Sequence, residues 1–181
     1  MQANTSRARG VIYGIATLMA FVLVPVAVGM GQSRAQEAPP PIMVELLTPR
    51  SLFTDDVSGQ FRVKLGGHGT NVINMHDPSR TVVAKITVQP GAQFPWHTHP
   101  GLVVANVAQG ELVYVAASDC LARSYPTGTV FVDPGHGHVH TAFNPTASET
   151  VIYATFFEAA GQGPLTITEG VEAPAGCQVG P

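Results

Sequence analysis

Short runs of β-branched and aromatic residues, closed at brief intervals by glycine or proline turns, constrain this chain more than any other feature. Phe61–Leu65 alternates and stops at Gly66-Gly67, and Asn71–Met75 stops at Asp77-Pro78-Ser79. Thr81–Gln89 ends at Pro90-Gly91, Leu102–Ala108 and Glu111–Ala116 flank Gln109-Gly110, and Thr129–Asp133 ends at Pro134-Gly135. Val139–Phe143 and Thr150–Phe157 follow, with Leu165–Thr168 as a weak extra run. These runs have strand length, and no segment between them carries a long helical period. Regular short strands with such punctuation predict an all-β sandwich or barrel. With 19 glycines and 15 prolines in 181 residues, the chain carries far more turn formers than a helical bundle uses. No internal repeat is visible, so a single barrel is predicted over residues 61–170.

The N-terminus is of a different kind. Arg7 and Arg9 precede an uncharged run from Val11 to Met30, and Ser33-Arg34-Ala35 follows. That order predicts a signal peptide over residues 1–35, cleaved after Ala35. The alternative is an uncleaved membrane anchor facing out of the cytoplasm, because about 20 apolar residues span a bilayer. The segment has no Arg-Arg pair, which argues against a twin-arginine signal. Residues 36–60 read as a Pro-rich tail and polar lead-in. A secreted or periplasmic location puts Cys120 and Cys177, the only two cysteines, in an oxidising compartment. They are predicted to form a disulfide that pins the C-terminal tail, residues 171–181.

Charge excludes one class of partner. The chain has 12 acidic and 9 basic residues, and Arg7, Arg9 and Arg34 all lie in the leader. The domain itself is therefore acidic and lacks the basic footprint of a nucleic-acid binder. Neither a Gly-rich phosphate loop nor a Gly-x-Ser-x-Gly nucleophile turn is present.

Five of the seven histidines fall in two clusters, His97-Thr98-His99 and His136-Gly137-His138-Val139-His140, while His68 and His76 sit near turns and read as structural or surface residues. Alternation along a strand places His97 and His99 on one face. Strands from opposite sides of a small barrel can aim two such clusters into a shared interior, where imidazole suits Zn, Cu, Fe, Mn or Ni. Tyr114 and Tyr153 are candidates for the barrel lining, with apolar packing as the default.

The clusters lie inside longer patterns. Gly91-Ala-Gln-Phe-Pro-Trp-His97-Thr-His99, followed by Gly110, resembles the first motif of the cupin superfamily. Gly128-Thr-Val-Phe-Val-Asp-Pro134, followed by Gly137, His140 and Asn144, resembles the second. The resemblance implies a single-domain, jelly-roll-like cupin β-barrel with a divalent transition metal on His97, His99 and His140. Two departures matter. Val103 stands where the family pattern has a glutamate ligand, and Val104 beside it offers no substitute. Pro134–His140 carries one extra residue, and the spacing to Asn144 selects His140 over His138 as the third ligand. His138 remains a candidate additional ligand, and His136 or His138 a candidate general base, with His136 expected on an exposed turn.

The resemblance implies two functions. One is a metal-dependent dioxygenase or lyase acting on a small anionic molecule, since iron(II) cupins with three histidines and no glutamate are dioxygenases of thiols and diketones. The other is a metal- or ligand-binding module without turnover. The expected partner is a small, anionic molecule, with a homodimer compatible with the fold and no nucleic acid.

Overall fold

The computed structural model describes residues 40–66, 69–76, 78 and 80–180. The leader and His68 lie outside the described residues, as does the side chain of His76. Eleven strands and no helix make up this part. They are β1 (Ile42–Leu46), β2 (Ser51–Leu52), β3 (Ser58–Lys64), β4 (Thr70–His76), β5 (Arg80–Val88) and β6 (Val103–Gln109). After these come β7 (Glu111–Ala116), β8 (Ala122–Pro126), β9 (Val130–Asp133), β10 (His140–Phe143) and β11 (Thr150–Phe156).

The main sheet has the order β1-β5-β11-β6-β9, with β2 also paired to β5. A second sheet runs β10-β7-β8, and β3 and β4 form a separate hairpin. Every named pairing is antiparallel. The non-sequential strand order is that of an all-β jelly roll, as the spacing of turns predicts.

Period-two alternation builds the core between the two sheets. Val82, Ala84, Ile86 and Val88 of β5, Val103, Ala105 and Val107 of β6, and Ile152, Ala154 and Phe156 of β11 all join one buried cluster. Leu112, Tyr114 and Ala116 of β7 meet them from the opposite sheet. The outward-facing residues are covered too. Val104 and Val132 pack beneath the β3–β4 hairpin with Ile73 and Met75. Val113, Val115 and Phe143 are capped by Trp96 and, from the C-terminal tail, Val179. The Cys120–Cys177 disulfide ties down that tail, as the cysteine count predicts.

Several local expectations change. The segment expected as a lead-in carries β1 and β2, both hydrogen-bonded to β5. Val44 and Leu46 of β1 are more than half exposed, so this edge strand is held by backbone pairing and lacks the apolar density that marks a strand in sequence. Strand β8, Ala-Arg-Ser-Tyr-Pro, is likewise half exposed and polar. Leu165–Thr168 forms no strand and contributes a single bridge, Ile167 to Thr98. Tyr153 points outward and is 40% exposed, so it does not line the barrel.

One glycine shows how tightly the second motif is held. Gly135 has a φ of +61°, and a Cβ there would lie 1.9 Å from the carbonyl oxygen of Gly101. Only glycine serves both demands. The turn it permits sets the chain leaving β9 on course to re-enter the barrel at His140.

Candidate metal centre

His97, His99 and His140 converge. Their candidate ligand atoms lie within 4.8 Å of one another, and all three side chains are buried. The clusters do not face each other across the barrel as expected from sequence. His97 and His140 are direct antiparallel neighbours, each backbone N–H donating to the other's carbonyl at 2.9 Å. Alternation then carries His99 to the same face as His97. Ring centroids stand 4.1 Å apart for His97 and His140, 4.9 Å for His97 and His99, and 5.2 Å for His99 and His140.

Each ring is oriented by an acceptor at Nδ1. His97 Nδ1 lies 2.7 Å from the Pro95 carbonyl oxygen, and His99 Nδ1 lies 2.7 Å from that of Leu165. His140 Nδ1 lies 2.9 Å from Asp133 Oδ2 and 3.3 Å from the His138 carbonyl oxygen. An acceptor at Nδ1 holds the proton there and leaves the Nε2 lone pair free. Three rings held in that tautomer keep Nε2 as the lone-pair nitrogen, and one ring nitrogen from each lies within 4.8 Å of the others. Outer partners of this kind are what orient imidazole ligands in metal sites.

The electrostatics favour neutral rings. Burial lowers His97 to a pKa of about 3, helped by His140 and His99. Burial also lowers His99, against the pull of Asp133. Burial pushes the Tyr114 hydroxyl up, and the neighbouring Asp133 carboxylate pushes it further. Burial alone would raise Asp133, but His140, His99 and the Tyr114 hydrogen bond hold it below the usual carboxylate range. Burial therefore favours unprotonated imidazole at His97 and His99, the form that ligates metal.

The histidines end a cavity of about 110 Å³ inside the barrel. Its wall is mostly apolar: Ile86, Phe94, Val103, Phe131, Ile152 and Phe156, with Ala105, Ala142 and Ala154 leaving the space open. Val44 of the edge strand and Leu165 also line it.

His136 and His138 lie elsewhere. His138 is outside the three-histidine group; its Nδ1 lies 2.7 Å from the Gly135 carbonyl oxygen, and it lines a separate cavity with Ser118 and Asn71. His136 is on an exposed turn with a φ of +49°, its Nε2 2.7 Å from Glu158 Oε2. Asp133 was not anticipated. Its signal was present in the sequence, since it sits two residues from the inward-facing Phe131 on the same predicted run. Tyr114 departs from simple apolar packing, because its hydroxyl donates to Asp133 at 2.7 Å while its ring stacks on His140.

The family model for cupins matches residues 62–168, more than half the chain. The chain belongs to the cupin family. Among solved structures, this cupin is similar to a cupin domain from Bordetella pertussis Tohama I, with 16% identity and a TM-score of 0.44. That match covers 68% of this chain and all of the other. It is also similar to KdgF from a Halomonas species, with 17% identity, coverage of 68% and 84%, and a TM-score of 0.42. A third similarity is to the polyketide cyclase RemF from Streptomyces resistomycificus, with 15% identity and a TM-score of 0.43. It covers 52% of this cupin and 63% of the cyclase, so the chain spans less than two thirds of that protein's length. No curated protein matches the sequence.

Proposed function

We propose that this protein is an exported cupin that holds one divalent transition metal on His97, His99 and His140 and binds a small anionic molecule beside it. The observation that carries the reading is the triple Nδ1 anchoring, which leaves Nε2 as the lone-pair nitrogen on three buried, clustered rings. The donor set fits Fe, Mn, Zn, Cu or Ni, and a bound ion would supply Lewis acidity and open positions for the ligand. The protein's own part is to fix the three rings, keep His97 and His99 unprotonated by burial and line the site with an apolar wall. The apolar cavity suits a ligand with a hydrocarbon body and one chelating end.

Dioxygenase-type cleavage is the activity this wall serves best. A lyase needs a proton-transferring group at the substrate, and besides the histidines the titratable groups on this wall are Tyr114 and Asp133, which are already engaged with each other. That no further acid or base lines the cavity among the described residues favours a binding module as the second reading. The Cys120–Cys177 disulfide supports an oxidising, extracytoplasmic compartment, and the leader pattern with a cleavage point after Ala35 is the proposed route to it.

Element analysis of protein purified from its native compartment tests the metal. About one equivalent of a divalent transition metal is expected. His97→Ala, His99→Ala and His140→Ala should each lose most of it, because two imidazoles make a poor site. Wild-type metal content in all three variants would place the site elsewhere. Oxygen uptake with short-chain keto acids and diketones then separates turnover from binding alone.

A further inference from the structure

Val103 leaves the first motif without its carboxylate, and the fold places another acid opposite it. In the antiparallel register of β6 and β9, Val103 pairs directly with Asp133. Both side chains line the cavity that the three histidines end. Asp133 is only 2% exposed. An ionised carboxylate at that depth is costly unless it is paired and hydrogen-bonded. Here every bond it makes leads toward the centre or fixes the turn behind it. Oδ1 accepts from the Gly135 backbone N–H at 2.7 Å. Oδ2 accepts from the Tyr114 hydroxyl at 2.7 Å and lies 2.9 Å from His140 Nδ1, within ion-pair distance. His140 Nδ1 also has the His138 carbonyl oxygen at 3.3 Å, whereas the other two histidines are anchored by neutral backbone carbonyls alone.

We infer that Asp133 is the positioning and charge-compensating residue of this centre, acting through His140 in place of the carboxylate that residue 103 does not supply. The inference rests on the metal-binding reading above. Three neutral imidazoles leave a divalent ion its full +2 charge. The Asp133 carboxylate, one ring away, brings the buried assembly to +1 and raises the basicity of His140. A glutamate at 103 would do the same by occupying a coordination position. Asp133 does it from behind a ligand and leaves that position open. A single monoanion then neutralises the assembly, which narrows the ligand class from anions in general to monoanions.

Cobalt(II) and azide are the probes. Cobalt affinity is read by competition with a chromophoric chelator, and azide affinity from the visible bands of the cobalt-loaded protein. Asp133→Asn keeps shape and an acceptor for His140 but removes the charge. It should weaken cobalt about 10–100-fold and tighten azide on the loaded protein about tenfold, because the assembly returns to +2. The opposite signs are diagnostic, since a merely structural role would lower both affinities together. Moving the charge, in the double variant Asp133→Asn with Val103→Glu, should recover cobalt affinity to within about tenfold of wild type. Parallel losses in Asp133→Asn, or no change in either affinity, would overturn the inference while leaving metal binding intact. Wild-type protein that binds no cobalt would overturn the metal reading and this inference with it. Nitrogen-edited NMR of zinc-loaded wild type needs no variant. Among the three ligand N–H protons, that of His140 should lie furthest downfield, because it alone has a carboxylate acceptor, nearer at 2.9 Å than the His138 carbonyl at 3.3 Å. A His140 proton in the range of His97 and His99 overturns the inference independently.

Discussion

Acidifying the metal-free protein from pH 7 to pH 5 should cost about 2 kcal/mol of folding stability through His97 alone. In the fold its pKa is about 3, depressed first by burial and then by His140 and His99, against 6.5 for a free imidazole. Below pH 6.5 the unfolded chain therefore takes up a proton that the folded chain does not. The stability tied to this group is complete above 6.5 and is lost as pH falls toward about 3. One pKa unit is worth ~1.4 kcal/mol, so the roughly 1.5 units between 6.5 and 5 give the stated loss. His99 is lowered in the same direction and adds to it. Asp133, held below the usual range, is ionised in both states across this window and contributes nothing to the slope. The assay is urea denaturation of chelator-treated protein at pH 7 and pH 5, for wild type and His97→Gln. Wild type should lose at least about 2 kcal/mol on acidification, and the variant's loss should be smaller by about that amount. An equal pH dependence in both, with the variant folded at pH 7, would refute the claim that His97 is buried in its neutral form.

Three further outcomes are expected. Reducing the Cys120–Cys177 disulfide, whose partners are 57 residues apart, should cost about 2–4 kcal/mol and lower the melting temperature, measured with and without reductant. Asn144→Ala should cost more than about 2 kcal/mol in chemical denaturation, because its fully buried side chain bonds the Val88 and Ser148 carbonyls and both the amide and hydroxyl of Thr146. Val103→Glu should tighten metal binding and weaken azide, with an overpacking cost of about 1–3 kcal/mol, since residue 103 is buried on the cavity wall. Unchanged azide affinity in that variant, with its fold intact, would show that residue 103 does not face the ion.

The three-histidine set was legible from local spacing because its geometry is local. A strand's period of two makes His97 and His99 cofacial whatever the rest of the chain does. The distance from His140 to Asn144 singled out the member of the second cluster that the fold brings beside His97 and His99. The all-β class was legible for a similar reason, since turn chemistry and short apolar runs are properties of neighbours in sequence. The weak strands were harder to see. β1 and β8 expose much of their surface and owe their place to hydrogen bonds from β5 and β7, which leave no apolar pattern behind.

What the sequence determined by itself, then, is the strand-and-turn rhythm, the cofacial histidines and the lone cysteine pair. The tertiary structure alone decided which groups stand behind those histidines. The carbonyl of Leu165 reaches His99 from 66 residues away. Asp133 meets Val103 only through the pairing of β9 with β6, and Tyr114 joins them from the other sheet. Such partners are fixed by strand order and register. In an antiparallel jelly roll these arise from burying many side chains at once, so no short stretch of sequence encodes them.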